Sequence, residues 1–146
     1  MTRERDFQRR KLYRAEREAG FFESQRLNKN ELESIIRDIL HSDFVKDVNK
    51  EIYKAVVPIN YVPDKYLARF NHTGFVLPEW SHRLMIIMHE ASHCIHLTNE
   101  AWQYECGHGW RFANFYLRLV KSYICTNSFI KLQNSFVKHK VKFYEK

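Results

Sequence analysis

The chain has 146 residues, 45% of them hydrophobic and 15% aromatic, enough for one domain, 1–146, with a real core and no room for a second. No apolar run approaches the ~18 residues of a membrane span, and the charged opening Met1-Thr2-Arg3-Glu4-Arg5-Asp6 leads into no apolar signal segment, so the expectation is a cytoplasmic protein without membrane partners. The net charge of +7 sits at the ends: residues 1–20 hold 7 basic and 4 acidic side chains, 21–117 hold 10 and 12, and 118–146 hold 7 and 1.

In chain order, residues 4–18 read as a helix rich in Arg and Glu, with Phe7, Leu12, Tyr13 and Ala15 as its candidates for burial and Gly20 as its stop. The stripe Leu32, Ile35, Ile36, Ile39, Leu40 predicts a helix over 31–40, capped by Asn30 with Glu33 completing a variant capping box. A short helix over 43–49 follows, capped by Ser42. The β-branched and aromatic runs 52–57, 66–70 and 74–77 then predict three short strands, the last two forming a hairpin. Pro78 closes this sheet, and Ser81 is placed to cap the next helix.

Residues 83–97, RLMIIMHEASHCIHL, are apolar nearly all round, which marks a buried helix. At its centre stand His89-Glu90-Ala91-Ser92-His93. Histidines four apart occupy one helix face a turn apart, so their imidazoles can reach one tetrahedral metal ion, with the intervening glutamate directed at its open position. Zinc lowers the pKa of bound water to about 7, and Glu90 could take that water's proton and pass it to a leaving group.

For a third ligand, the position six residues after His93 is Asn99, which excludes the metzincin pattern. Glu100 and Glu105 are open alternatives, but His108 in Cys106-Gly107-His108-Gly109-Trp110 is the better candidate, because flanking glycines permit backbone angles that turn a side chain back toward the first helix. Phe112, Phe115, Tyr116, Leu119, Val120 and Tyr123 predict a second buried helix over 110–124. Beyond Thr126-Asn127-Ser128, a basic helical tail occupies about 127–146. Three cysteines without framework spacing fit a reducing compartment. Cys94 reads as packing, and Cys106 as a loop thiol beside the site. His96 reads as a helix-end residue placed against the dipole. His72, His82 and Tyr104 are either surface residues or groups able to polarise a substrate carbonyl.

HEASH followed by HGWRFANFYLRLV resembles the HExxH…HGxxF arrangement of SprT-like and related small zincin metallohydrolases. The opening RDFQRRKLYRAE is similar to the RDxQRxxxYxAE start of a small metallohydrolase family from actinobacteria and their phages. The resemblance implies an α+β, zincin-like fold: N-terminal helices, a small, mostly antiparallel sheet of about three strands, and a buried HExxH helix packed on a following helix. It makes His89, His93 and His108 zinc ligands and Glu90 the catalytic base, and it implies that residues 69–77 border a cleft for an extended peptide or protein substrate.

Three readings follow. The first is a zinc-dependent hydrolase, foremost a metallopeptidase. The second is a nucleic-acid-associated zincin, a SprT-like protease or a binding module, with weak salt-dependent affinity from the basic tail; solvated helix faces explain the same charges. The third is a structural zinc domain without turnover, which requires a closed fourth position, filled by Cys106 or Glu105.

Overall fold

The computed structural model describes residues 2–145. Six helices and a three-stranded mixed sheet make an α+β fold, in the order α1 (Arg9–Glu18), α2 (Lys29–Leu40), α3 (Asp43–Val48), β1 (Ile59–Val62), β2 (Arg69–Asn71), β3 (Gly74–Pro78), α4 (Leu84–Leu97), α5 (Trp110–Tyr123) and α6 (Thr126–Lys138). Short 3-10 turns lie at Phe21–Glu23, Glu79–Ser81 and Glu100–Trp102. Among the described residues no helix is long and apolar enough to cross a membrane.

Helix α4 is the centre of the core, with Leu84 through His96 all buried. It packs on α5, and α1 closes the site from outside while lying on α6. The expected cap Ser81 instead lies in the preceding turn and donates its hydroxyl to the Pro78 carbonyl. The first turn of α4 is satisfied from a distant segment: Met85 N donates to Ser24 Oγ at 3.0 Å, and Leu84 N to the Gln25 carbonyl at 2.9 Å. Orphan helix N–H groups need acceptors, and here the fold supplies them.

Helix α2 begins two residues earlier than its stripe suggests, at Lys29 with Asn28 as its cap. Asn-x-x-Glu occurs twice in register, at Asn28–Glu31 and Asn30–Glu33, and the first forms the reciprocal box, with Asn28 Oδ1 accepting from Glu31 N at 2.8 Å. Leu27 N, bonded to the His82 carbonyl at 2.9 Å, fixes the chain just before it. Glu33, freed from capping, accepts from the Tyr61 hydroxyl at 2.8 Å. Ser42 caps α3 as expected.

The sheet differs from expectation at its first strand. Residues 52–57 form no strand, with 52–54 in a turn: Lys54 takes φ 60° and its N–H bonds the Leu40 carbonyl, while Ile52 is buried and Val56 is fully exposed. Their β-branched composition reflects partial burial, not pairing. The strand starts after Pro58, which lacks the N–H a ladder needs. The order is β1-β3-β2, with β1 parallel and β2 antiparallel to β3, so the sheet is mixed. The predicted hairpin of β2 and β3 forms with Phe70 opposite Phe75.

Two further corrections concern the ends. Helix α1 starts at Arg9 and not at residue 4, because Glu4 N is engaged by the Tyr104 carbonyl at 2.7 Å, which ties the opening segment to the loop before α5. Phe7 is exposed. Helix α6 begins at the predicted break, where Cys125 Sγ accepts from Ser128 N, and ends at Lys138. Lys140 adopts φ 60°, which turns the tail back so that Val141 is buried and Lys142 N reaches Gln8 Oε1 at 2.9 Å.

Candidate metal centre

One turn of α4 separates His89 from His93 on the same face, and their ring centroids lie 4.9 Å apart. His108, immediately ahead of α5, brings its ring to 4.6 Å from His93 and 5.5 Å from His89. His93 Nε2 and His108 Nε2 approach to 3.1 Å. All three residues are buried, and one nitrogen from each lies within 4.8 Å of the others, close enough to hold a metal ion.

The loop reaches this position by a different device than backbone freedom. Neither Gly107 nor Gly109 has positive φ. Gly109, at φ −76° and ψ −171°, is needed for space, since a Cβ there would stand 2.9 Å from Cys106 Sγ.

Behind the imidazoles stand two carboxylates. His89 Nδ1 lies 2.6 Å from Glu16 Oε2, which also accepts from the Tyr116 hydroxyl at 2.7 Å. His108 Nδ1 lies 2.7 Å from Asp6 Oδ2. Gln8 Nε2 donates to the His108 carbonyl at 2.8 Å, fixing its backbone. Because a carboxylate only accepts, it assigns the proton of each ring to Nδ1 and leaves a lone pair on Nε2. Two such lone pairs and the third imidazole converge on one small volume, a donor set that suits a borderline divalent cation.

The electrostatics agree at two of the three rings, His93 and His108. Burial pushes His93 well down, and the neighbouring His89 and His108 add to the effect. Burial also lowers His108 against the opposing pull of Asp6. Both are therefore neutral near pH 7, the form that ligates. At His89 burial acts downward, but Glu16 prevails and raises it. Glu90, buried beside His89, is pushed by burial up to about 7 despite the opposing effect of His89. A carboxyl poised there can accept and return a proton near neutrality.

The competing ligands fall elsewhere. Glu105 accepts from Arg111 Nε at 3.0 Å and pairs with His96 Nε2 at 2.9 Å. Burial would raise it, but Arg111 and His96 hold it below the usual carboxylate range. His96 lies in the last turn of α4, as its helix-end reading has it, and it is fully buried there, hydrogen-bonded to Glu105 and stacked near Trp102. Glu100 is exposed. Burial pushes the Cys106 thiol up to about 12, so it stays protonated. His72 and Tyr104 are exposed, and His82 packs edge-on to Tyr61. Among the described residues the group that could hold a metal ion consists of the three histidines alone.

Sequence reasoning missed Asp6, Tyr13 and Glu16 as parts of the site. Tyr13 Oη lies 3.4 Å from His108 Nε2, and burial followed by Glu16 raises the phenol to about 12. A signal for Glu16 existed: with Gln8, Leu12 and Ala15 it completes the buried face of α1, a carboxylate on an apolar stripe. In comparisons with known proteins, no family model, no curated protein and no solved structure matches the chain.

Proposed function

We propose that the protein is a zinc-dependent hydrolase of zincin-like fold, foremost a metallopeptidase, with His89, His93 and His108 as ligands and Glu90 as general base. The observation that carries this reading is a buried Glu90 beside His89, one of three converging buried imidazoles. Zinc held there supplies Lewis acidity toward a carbonyl and toward water. Glu90 takes the proton of the attacking water and returns it to the leaving amine. Glu16 and Asp6 keep two rings oriented, and the protonated Tyr13 phenol is available to donate to developing negative charge. The β2 edge of the sheet offers backbone groups to an extended chain.

The test is metal analysis of purified protein beside His108→Ala, Glu90→Gln and Tyr13→Phe. His108→Ala should lose zinc, while the other two should keep it and lose turnover. Zinc retained in His108→Ala, or full turnover in Glu90→Gln, overturns the assignment.

One observation favours the second reading, a nucleic-acid-associated protein. Arg9, Arg10, Lys11, Arg14 and Arg17 lie exposed on α1, and none of the ion pairs among the described residues uses them. Of the tail lysines, Lys138 pairs with Glu18, while Lys140 and Lys142 are exposed. DNA affinity that falls steeply with salt and weakens on neutralising these α1 cations supports this reading; no binding at low salt ends it.

A further inference from the structure

A pocket of about 280 Å³ adjoins His89 and Glu90. Apart from polar groups of α1 that include Arg17, its wall is apolar, built from Phe21 and Phe22 of the turn after α1, Leu67 and Ala68 ahead of β2, Trp80, and Ile86 of α4. These come from four separate segments, and the wall is held in place. Trp80 Nε1 donates to the Tyr66 carbonyl at 3.1 Å and its backbone N–H to Asp64 Oδ1 at 3.2 Å, so the indole ring is positioned without using its face. Phe21 packs edge-on to Phe22 at 4.9 Å and to His89 at 5.8 Å, which joins the wall to the metal centre. At the mouth Phe22 and Leu67 remain 48% and 73% exposed.

Apolar surface that is concave, exposed and set against catalytic groups is a binding surface more readily than a packing fault. Its size is selective. A cavity of roughly 150 Å³ accepts benzene, and drug-sized ligands occupy roughly 300–1,000 Å³. The space here therefore holds one large side chain with its adjoining backbone.

We infer that this pocket binds a large apolar side chain, aromatic or long aliphatic, of the residue flanking the bond presented to Glu90. That the occupant is a substrate rests on the hydrolase reading; the side-chain preference itself does not. Burying one such side chain should favour it over glycine by roughly tenfold or more.

The experiment is ligand-observed NMR of N-acetylphenylalaninamide and N-acetylglycinamide on the full chain, both zinc-loaded and chelator-treated. The phenylalanine probe should bind at least tenfold more tightly. Ala68→Phe, which fills a half-buried wall position, should remove that preference, and Phe22→Ala at the exposed mouth should reduce it severalfold, both with unchanged zinc content. Equal binding of the two probes, or a preference indifferent to both substitutions, overturns the inference. A preserved preference in a protein without turnover upholds the pocket and counts against the hydrolase reading alone.

Discussion

Glu16 and His89, 73 residues apart in sequence, meet at 2.6 Å in the core, and the same carboxylate oxygen takes the Tyr116 hydroxyl at 2.7 Å. One buried anion thus ties α1, α4 and α5 together while orienting a candidate ligand. Glu16→Gln preserves the shape and removes the charge. Zinc affinity, measured by competition with a chromophoric chelator, should fall by about 10- to 100-fold. Unchanged affinity would mean that Glu16 has only a packing role.

Metal bound to the folded chain alone should stabilise it by linkage. With free zinc at about a thousand times its Kd the gain is about 4 kcal/mol, so Tm should rise by roughly 10 °C in a domain of this size. Differential scanning calorimetry with zinc and with excess chelator reads this directly. His108→Ala should abolish the zinc-dependent increment.

Acid should destabilise the metal-free protein from about pH 6.5 downward. Burial depresses His93, His96 and His108 in the fold, so the unfolded chain binds protons more readily at these positions. Their stability contribution is present above the ordinary histidine pKa and is lost as pH falls. His89, raised by Glu16, and Glu90, raised by burial to about 7, act in the opposite sense: their contributions are present at low pH and are lost as pH rises through their folded values. Each net proton taken up on unfolding contributes a slope of about 1.4 kcal/mol per pH unit. Urea denaturation at pH 7.5, 6 and 5 should show the decline, and His96→Gln should flatten it by about one proton's slope.

Gly74 opens β3 at φ 109°, and a Cβ there would lie 2.3 Å from the Pro58 carbonyl oxygen. Strain and collision combine, so Gly74→Ala should cost more than about 2 kcal/mol. Gly20, at φ 89° but with its nearest atom 3.7 Å from the added Cβ, should cost about 1 kcal/mol. Urea midpoints that reverse this order would show that the approach of β1 to β3 is not held at Gly74.

Local physics made much of the site legible in advance. The four-residue spacing of His89 and His93 on an all-apolar helix, the cap at Ser42, the hairpin of β2 and β3 and the helix after His108 are all short-range consequences of periodicity and turn chemistry. What local reasoning misplaced depended on partners far away in the chain. The β-branched run 52–57 buries Ile52 and forms no strand, and Ser24, from another segment, caps the helix that Ser81 was expected to cap.

By itself the sequence determined a buried helix carrying two histidines and a glutamate, because helical periodicity alone sets which side chains share a face. Only the tertiary structure decided that His108 and not Glu105 completes the group, that Asp6 and Glu16 stand behind two of the rings, and that an aromatic pocket lies beside Glu90. Those facts depend on packing between segments up to 102 residues apart, and no local pattern encodes which distant carboxylate will meet which imidazole.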